Sequence, residues 1–467
     1  MAAAGEESPG FSVSVAKVRH NIRVTKLITD SIRPAKKTDP HWVTLTNLDR
    51  LHGHYYTPVI LYYPYEEGRC LGEVAQKLKE SLAEALVAFY PLAGRVVQNE
   101  NELAKLHCND AGALFTEAYV DCVLDDLKAQ LGYHPLPELN GMAAADLPDE
   151  DRNFTAQGTG LAALVIQLTH FSCGGISLAF NWHHKVGDGS AGFYFLKCWC
   201  AIAGGKPISP FPVHDRSLVQ PRDPPQVLLD ITNTVKIFDP SPSPKQPADD
   251  PQQIAVIHLK QEFVEKLKTE ASKDGGAPFT AHECVSAHLW KLVTNLRSHI
   301  GRQDVHLSAI VDGRRKLGLP PGFFSNAVAA TCSTMSADDL LSRPLSYVAG
   351  IVRGAIRQVG DENYRSTVDW VHLQGDANVG VFGPQMVMSK DLIIVSWALP
   401  MYELDFGWGR PGFAMRNSLN YPDLDGIIYT LPTAPGHGKL LALMHLPQSL
   451  TSKLLANPSL LASDFQC

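Results

Sequence analysis

The sequence predicts a mixed α/β protein with two domains, because strand-like and helical patterns alternate in both halves and a proline-rich stretch separates them. The chain has 467 residues, and at roughly 150 residues per domain it could hold three domains or two large ones. Residues 206–252 contain closely spaced prolines and few helix signals, which is typical of a crossover between domains. We therefore expect an N-terminal domain at residues 1–205 and a C-terminal domain at residues 253–467.

The overall composition excludes several classes of protein. Hydrophobic residues make up 45% of the chain and charged residues 19%, which excludes a disordered, collagen-like or coiled-coil protein. The net charge is −7, from 41 basic and 48 acidic residues, whereas a protein that binds nucleic acid would need a basic surplus. The sequence also lacks an apolar run of about 18 residues, the length that a membrane span requires.

The N-terminal residues and the cysteines indicate a cytoplasmic protein. The first ten residues, MAAAGEESPG, lack the basic start and the apolar run of a secretory signal. The nine cysteines are scattered and odd in number, whereas the cysteines of a secreted disulfide framework are usually dense and even in number. We therefore expect reduced, buried thiols.

Local patterns in the N-terminal half predict its strands and helices. A strand is expected at residues 59–63 and a helix at residues 71–89. Two apolar runs, LAALVIQLTHF and ISLAFNW, flank Cys173, Gly174 and Gly175, which indicates a β-hairpin. The segment HHKVGDG follows this hairpin, and after it comes a helical pattern that Gly204 ends.

The C-terminal half follows the same alternation. Strand-like runs occur at IAVIHL, LSAIVD, LIIVSWALP and KLLALMHL. A helix is predicted at EFVEKLKTEAS, and a second helix begins after Thr280, because Thr280 and Glu283 have the spacing of a capping box. Both halves therefore combine strands and helices in similar proportion.

Two histidines are followed by an aspartate four residues later, and their contexts differ. His372 precedes Asp376 in the polar stretch VHLQGDANVG, which is typical of a loop. His184 ends a strongly apolar strand and precedes Asp188. Gly187 and Gly189 lie on either side of Asp188 and allow a tight turn before the next helix. A histidine at such a corner is held by rigid elements, and its ordinary pKa near 6.5 suits a general base.

Other interpretations of the HHKVGDG segment stay open at this level. His184 and Asp188 could be a buried polar pair that closes a turn. Ser190 could be a hydrolase nucleophile, although DGSAG has Asp188 where the Gly-x-Ser-x-Gly elbow has its first glycine. A metal ion shared by His183, His184 and Asp188 is disfavoured, because the two adjacent histidines of a strand point to opposite faces.

A second motif, DFGWG at residues 405–409, follows HHKVGDG after more than 200 residues. Other characteristic segments are SIRPAKKT, NLDRL, YPLAGR, VDGRRKLGLPPGFFSN and RPLSYVAG. With these segments in this order, the chain resembles the plant BAHD acyltransferases of the chloramphenicol acetyltransferase-like superfamily over nearly its whole length. The resemblance implies a two-domain chloramphenicol acetyltransferase-like fold, in which each domain is a mixed β-sheet with helices and an active-site channel runs between the domains.

The resemblance also implies CoA-dependent acyl transfer without a covalent acyl-enzyme. His184 matches the family's catalytic histidine, which takes the proton from the acceptor hydroxyl or amine as it attacks the thioester. Acyl-CoA is then a co-substrate, with no bound cofactor and no metal, and we expect a monomer. Asp188 matches the aspartate of the motif and has an orienting role. The indole N–H of Trp408 is the candidate donor to the tetrahedral oxyanion.

The DFGWG motif has a structural role in the family that the chain resembles. Asp405, Gly407 and Gly409 belong to this motif, and the resemblance implies that Asp405 pairs with an arginine of VDGRR, here Arg314. We therefore expect DFGWG at the rim of the channel, away from proton transfer.

Four positions match the acceptor side of the family's site: Thr57, His288, Ala398 and Tyr402. Ala398 stands where shikimate and quinate transferases carry an arginine that binds the acceptor carboxylate, which counts against those acceptors. Thr57 matches a pocket threonine, and its apolar neighbours in YYTPVIL predict a more apolar acceptor side. His288 could equally pack between helices. Glu403, beside Tyr402, would favour an amine acceptor unless it is solvated.

The full-length similarity favours the hydroxycinnamoyl branch, and so an aromatic acyl group. The alternative within the class is a shikimate or quinate O-hydroxycinnamoyltransferase with an altered acceptor clamp. A condensation-type domain shares the HHxxxDG signature, but such domains sit beside carrier domains, for which 467 residues leave no room. A serine hydrolase and an inactive binding module are the alternatives from other classes. Ser325, where the family often has glycine, is expected only to tighten a turn.

Overall fold

The structure is a computed structural model. It describes residues 10–15, 23–67, 71–98, 103–126, 139, 160–237, 250–298, 303–380, 391–416, 425–434, 436 and 438–465. The strands are β1 (Phe11–Val15), β2 (Val24–Ile32), β3 (His41–Thr44), β4 (Tyr56–Tyr63), β5 (Arg95–Val97), β6 (Lys105–Cys108), β7 (Ala113–Val120), β8 (Leu161–Ala162), β9 (Leu164–Phe171), β10 (Ile176–His183), β11 (Lys236–Ile237), β12 (Gln252–Leu259), β13 (Asp304–Asp312), β14 (Val328–Ala330), β15 (Ser333–Ser336), β16 (Val379–Gly380), β17 (Leu392–Ser396), β18 (Phe413–Arg416), β19 (Ile427–Pro432) and β20 (Leu440–Pro447). The helices are α1 (Asn47–Arg50), α2 (Leu71–Ala88), α3 (Gly189–Ala203), α4 (Gln261–Ala271), α5 (Ala281–Leu296), α6 (Ala337–Ser342), α7 (Leu345–Gln358), α8 (Asp361–Leu373) and α9 (Gln448–Ala456).

Two large sheets organise a two-domain, mixed α/β fold. The first has six strands in the order β18-β4-β10-β9-β7-β2. The second has eight strands in the order β1-β12-β20-β19-β17-β13-β14, with β15 also paired to β13. Each large sheet contains one strand from the other half of the chain, because β1 pairs with β12 and β18 pairs with β4. The two halves are therefore joined through their sheets as well as through the crossover.

Several elements form where the local patterns predict them. Strands β9 and β10 make the expected antiparallel hairpin, and Gly174 in its turn has a φ of +81°, a conformation that favours glycine. Helix α2 ends one residue before the predicted end, and α3 ends at Gly204 as predicted. The capping box of α5 is confirmed, because the Thr280 hydroxyl accepts the Glu283 N–H at 3.2 Å and the Glu283 carboxylate accepts the Thr280 N–H at 2.7 Å.

Helices α2 and α3 pack together against the six-stranded sheet. Trp199 of α3 donates its indole N–H to the hydroxyl of Ser81 in α2 at 2.9 Å. Trp182 of β10 lies so close to α3 that a Cβ atom on Gly192 would stand 2.3 Å from the indole ring. Glycine at position 192 therefore permits the contact that anchors the start of α3 to the end of β10.

The described part of the crossover, residues 206–237, is bonded to both halves of the chain. Nε2 of His214 lies 2.7 Å from a backbone carbonyl oxygen of α2. Arg222 forms ion pairs with Asp369 at 2.5 Å and with Glu362 at 2.9 Å, both in α8. Polar contacts to the two domains therefore hold this segment, which has little secondary structure of its own.

His372 lies in α8 and is exposed, so the prediction of a loop at this histidine is wrong. The helix begins at Asp361, and its N-cap residue is Gly360, whose N–H is accepted by the side chain of Asn363 at 2.7 Å. This start has no serine, threonine, aspartate or asparagine at the N-cap position, where those residues would mark a helix most clearly. Without a capping signal at its start, the helix could not be recognised from this polar, glycine-containing sequence.

None of the described helices combines the length and the apolar character needed to cross a membrane. The cysteines that the structure describes are free: Cys108, Cys122, Cys173, Cys198, Cys200, Cys284 and Cys332. Burial raises the pKa of the Cys108 thiol to about 12, so this thiol stays protonated and unreactive at neutral pH.

Candidate active site

His184 lies at the end of β10, where the chain leaves the six-stranded sheet and turns into α3. Its backbone N–H donates to the carbonyl of Tyr55 at 2.9 Å, which continues the pairing of β10 with the β4 side of the sheet. Its carbonyl accepts a hydrogen bond at 2.8 Å from Nδ2 of Asn326, a residue of the C-terminal half. Backbone bonds to both halves of the chain therefore fix the position of this histidine.

The imidazole of His184 stacks on the ring of His52, and part of the residue remains exposed. The two ring centroids lie 4.0 Å apart with their planes at 22°, and the Tyr55 ring lies 5.0 Å away. Nδ1 of His184 is buried and has no hydrogen-bond partner among the described residues. Lys185 supports the stack, because its Nζ donates to the His52 carbonyl at 2.5 Å.

The surroundings keep the imidazole of His184 neutral at physiological pH. Its pKa is lowered from 6.5 to about 4, mainly by burial and to a smaller extent by the positive charge of Arg416. The negative charge of Asp188 and the side chain of Asn326 oppose these effects in part. A neutral imidazole has a free nitrogen lone pair, so His184 can accept a proton at pH 7.

Asp188 is bonded to donors other than the imidazole of His184. It caps α3 by accepting the Ala191 N–H at 2.9 Å, and it accepts the Ala327 N–H at 2.8 Å. Arg314 binds both carboxylate oxygens, with distances of 3.0 Å from Nη1 and 2.9 Å from Nη2. Asp188 is only 2% exposed. Its influence on His184 therefore passes through its charge and through the turn that it holds in place.

The prediction that Arg314 pairs with Asp405 is wrong, because Arg314 binds Asp188 instead. Oδ1 of Asp405 accepts the backbone N–H groups of Gly407 at 2.7 Å and Gly409 at 3.1 Å. These glycines have φ angles of +98° and +95°, which side chains with a Cβ atom rarely adopt. The DFGWG motif is therefore a tight turn that its own aspartate closes.

Trp408 lies far from His184, which contradicts the predicted oxyanion contact. Its ring stacks on Phe406 at 5.5 Å and lies 6.2 Å from the ring of Tyr63. Tyr63 is the last residue of β4, whereas His184 is bonded to Tyr55, which directly precedes that strand. Because an extended strand rises about 3.3 Å per residue, the indole and the imidazole lie at opposite ends of β4.

A buried carboxylate, Asp49, binds the segment of the C-terminal half that contacts the His184 carbonyl through Asn326, and the sequence did not reveal this role. Asp49 accepts hydrogen bonds from Ser325 Oγ at 2.8 Å and from Asn326 Nδ2 at 2.8 Å. Arg216 of the crossover forms an ion pair with it at 3.2 Å. The expectation that Ser325 only tightens a turn is therefore wrong, because its hydroxyl bonds to a carboxylate with no exposed surface.

The contacts of Ser190 and His183 argue against two other interpretations of this segment. Ser190 Oγ donates to the carboxylate of Asp312 at 2.7 Å, whereas the nucleophile of a serine hydrolase donates to a histidine. The ring of His183 contacts that of His54, 5.4 Å away, while the ring of His184 has different neighbours. Within the described ranges, no three acidic, histidine or cysteine side chains converge in a way that could hold a metal ion.

Thr57 lies on the same face of the sheet as His184. It pairs directly with Trp182 of β10, and cross-strand partners share a face. Trp182 precedes His184 by two residues, and alternate residues of an extended chain point to the same face. The hydroxyl of Thr57 is buried and has no hydrogen-bond partner among the described residues. Such a group is costly unless a ligand bonds to it, so Thr57 fits a substrate-facing position.

Ala398 and Tyr402 lie in the segment before the DFGWG turn. Ala398 is exposed. The hydroxyl of Tyr402 accepts the N–H of Ala414 at 3.3 Å and so supports β18. Glu403 is exposed, which agrees with the solvated alternative for this residue.

His288 packs inside the C-terminal half, so the structure does not bring it to His184. It is 1% exposed, and its ring lies 5.5 Å from that of Phe263 in α4. Phe263 belongs to the core cluster that α4, α5 and α7 form with the eight-stranded sheet. The predicted acceptor contact of His288 is therefore contradicted, and helix packing accounts for this residue.

Comparisons with known proteins identify the family of the chain. The family model described as Transferase family matches residues 22–461. The chain is 31% identical over 416 residues to the shikimate O-hydroxycinnamoyltransferase of Nicotiana tabacum, covering 87% of this chain and 92% of the relative. It is 30% identical over 439 residues to the anthranilate N-benzoyltransferase protein 1 of Dianthus caryophyllus, covering 90% of this chain and 96% of the relative.

A solved structure supports the fold. The crystal structure of F. graminearum TRI101 complexed with ethyl coenzyme A superposes with a TM-score of 0.74 at 16% sequence identity, covering 90% of this chain and 97% of that one. The two-domain chloramphenicol acetyltransferase-like fold that the resemblance implied is thereby confirmed. The family model matches most of this chain, and the relatives named above are acyltransferases. The chain therefore belongs to the family of the plant BAHD acyltransferases and is an acyl-CoA-dependent acyltransferase.

Proposed function

We propose that the chain transfers an aromatic acyl group, of the hydroxycinnamoyl type, from acyl-CoA to a hydroxyl or amine acceptor. The observation that carries the proposal is His184, a partly exposed residue with a neutral imidazole, which backbone bonds to both halves of the chain hold in place. Such a group suits a general base in a direct transfer between two bound substrates.

In the proposed step, the acceptor oxygen or nitrogen attacks the thioester carbonyl and gives its proton to His184. Because Nδ1 of His184 is shielded from solvent, Nε2 is the nitrogen that receives this proton. The tetrahedral intermediate then expels the CoA thiolate as the carbon–sulfur bond breaks. The thiolate takes up the proton that His184 received, so CoA leaves as the thiol, the imidazole is neutral again and no acyl-enzyme forms. Asp188 orients the histidine through its charge and through the turn that it braces.

The names of the relatives support the substrate classes. One relative is named for the transfer of a hydroxycinnamoyl group to shikimate, and another for the transfer of a benzoyl group to the nitrogen of anthranilate. The related fold with bound ethyl coenzyme A supports acyl-CoA as the co-substrate. We propose no bound cofactor, because the base, the acceptor and the thioester supply the whole reaction.

A second candidate within the class is a shikimate- or quinate-type O-hydroxycinnamoyltransferase with an altered clamp. Ala398 replaces the arginine of those enzymes, but a buried arginine of this chain, Arg416, lies near His184 and interacts with it electrostatically. This observation favours an acidic acceptor.

We further propose a cytoplasmic monomer. The free cysteines of the described part support a reducing compartment. The residues around His184, which include Asn326 and Asp188, come from both halves of one chain, so one chain can supply the whole site.

The proposed function is tested by incubating the purified chain with coumaroyl-, caffeoyl-, feruloyl- and benzoyl-CoA and a panel of alcohols, hydroxy acids and amines. Mass spectrometry detects the ester or amide, and a thiol reagent quantifies released CoA. Product formation with an aromatic acyl-CoA is the expected result. Release of CoA to water alone, without an acylated product, would instead indicate a hydrolase.

A further inference from the structure

Arg416 ends β18 and enters the site from a strand of the C-terminal half. It pairs directly with Val59 of β4, and Val59 shares its sheet face with Thr57 two residues earlier. Thr57 in turn pairs with Trp182, which precedes His184 by two residues. Arg416 therefore lies on the sheet face that carries His184 and the buried hydroxyl of Thr57.

The guanidinium of Arg416 is buried among aromatic rings without a counter-ion in the described part of the chain. Its Cζ atom lies 4.0 Å from the ring centre of Tyr429 and 5.1 Å from that of Trp397. The residue is 4% exposed, and Nε and Nη1 are shielded from solvent with no hydrogen-bond partner among the described residues. The charge of Arg416 lowers the pKa of two histidines, His184 and His445, and neither can supply a negative charge.

Other arginines near the site have carboxylate partners. Arg216 is 6% exposed and pairs with Asp49 at 3.2 Å. Arg314 binds both oxygens of Asp188. A buried guanidinium without such a partner lowers stability, because desolvation of its charge is not compensated. Pairing with a carboxylate of the chain therefore explains the burial of Arg216 and Arg314 but not that of Arg416. An anionic ligand would supply the negative charge that Arg416 lacks.

The position of Arg416 indicates which anion it binds. The phosphates of CoA are separated from the thioester by the long pantetheine arm, and the thioester must lie beside His184 during transfer. Strand pairing places Arg416 on the sheet face that carries His184, so its ligand lies near the reacting atoms. The charge of Arg416 also lowers the pKa of the imidazole. Trp397, against which the guanidinium packs, directly precedes Ala398. The resemblance to shikimate and quinate transferases implies an arginine at position 398.

We propose that Arg416 binds the carboxylate of an acidic acceptor and replaces the arginine that is absent at position 398. This inference rests on the acyl transfer proposed above and names the acceptor class, a carboxylic acid that also carries the hydroxyl or amine to be acylated. A guanidinium binds a carboxylate through two parallel hydrogen bonds, which fixes orientation as well as position. Arg416 thereby directs the nucleophile of the acceptor towards His184.

Matched acceptors that differ only in the carboxylate test the proposal. Shikimate and methyl shikimate, and anthranilate and methyl anthranilate, are assayed with coumaroyl-CoA and benzoyl-CoA. The wild-type chain should use at least one acid with a kcat/KM about 10- to 100-fold above that of its methyl ester. Arg416→Gln should remove this preference by lowering kcat/KM for the acid and leaving the value for the ester nearly unchanged. Arg416→Lys keeps the charge but not the planar fork, so it should retain part of the preference.

A control and a binding measurement separate this role from a role in folding. Arg365→Gln is the matched control, because Arg365 pairs with Asp361 on the surface of α8 and should leave both acceptors unchanged. Calorimetric titration with CoA reports whether each variant keeps its fold. If Arg416→Gln does not fold, the acid preference of the wild type and its decrease in Arg416→Lys decide the question.

Two results would overturn the role of Arg416. One is equal use of acid and ester by the wild-type chain, and the other is an equal loss for both acceptors in Arg416→Gln with CoA binding intact. These results differ from failure of the proposed acyl transfer itself. In that case the wild-type chain would form no acylated product with any acceptor.

Discussion

Arg314 binds both carboxylate oxygens of Asp188, at 3.0 Å and 2.9 Å, and so ties the turn after His184 to the C-terminal half of the chain. Asp188 uses the same oxygens to cap α3 and to accept the Ala327 N–H. One carboxylate therefore holds the start of a helix, the segment after β13 and the turn that carries the histidine. This geometry supports the proposal that Asp188 positions His184 rather than exchanging protons with it.

Replacing Asp188 with Ala should lower the free energy of unfolding by about 3–5 kcal/mol, because Arg314, whose side chain is only 17% exposed, would lose its main counter-ion. Urea titration followed by tryptophan fluorescence measures this change. Turnover should also fall strongly, because the turn that holds His184 loses its brace.

Asp312→Ala is the matched control for this prediction. Asp312 also pairs with Arg314, at 2.9 Å, but its side chain is 40% exposed. Its loss should therefore cost under about 1 kcal/mol. Equal destabilisation by the two substitutions would contradict the special role assigned to the pair of Asp188 and Arg314.

Ser325→Ala should destabilise the protein by about 1.5–3 kcal/mol, because the fully buried carboxylate of Asp49 would lose a hydrogen bond. Ser190→Ala is the comparison, since Ser190 also donates to a carboxylate, at 2.7 Å, but that of the exposed Asp312. Thermal unfolding should show a clear decrease for Ser325→Ala and little change for Ser190→Ala. Loss of turnover in Ser190→Ala would revive the hydrolase alternative.

The rate of transfer should stay constant well below the ordinary pKa of histidine. The reaction needs unprotonated His184, and burial lowers its pKa to about 4, so kcat/KM should fall only as the pH drops through that value. Asp188 raises this pKa, so Asp188→Asn should move the acidic limb to still lower pH. The measurement is a profile of kcat/KM against pH, and an acidic limb near 6.5 in the wild type would contradict the account.

Ala398→Arg should raise kcat/KM for shikimate about tenfold if position 398 faces the acceptor, because a second guanidinium could then bond to the carboxylate. The same substitution in the Arg416→Gln background should restore part of the acid preference. Ala398→Gln controls for the added bulk. Unchanged acceptor preference in Ala398→Arg would show that the segment SWALP does not correspond to the arginine segment of the shikimate enzymes.

Local features of the fold could be predicted because they depend on neighbouring residues. The hairpin around Gly174 and the capping box of Thr280 and Glu283 follow from turn and capping preferences within a few positions. The position of His184 at the end of an apolar strand was predicted for the same reason. The helix that contains His372 was missed because its start, at Gly360, lacks the usual capping side chain.

Long-range partners could not be predicted in this way. The bonds from Asp49 to Ser325 and Asn326 span 276 and 277 residues, and no local pattern links those positions. Only the fold decides that Arg314 meets Asp188 and not Asp405, which is also an acid of a family motif. Trp408 was placed beside His184 for its N–H group alone, although the sequence does not tell which end of β4 it contacts.

The most direct test of the account is turnover by His184→Ala with CoA binding measured on the same preparation. We expect kcat/KM to fall by about 10²- to 10⁴-fold, the usual contribution of a general base, with CoA affinity nearly unchanged. His372→Ala, which removes the exposed histidine with the same spacing to an aspartate, should behave like the wild type. Turnover of His184→Ala close to that of the wild type would contradict the assignment of His184 as the base.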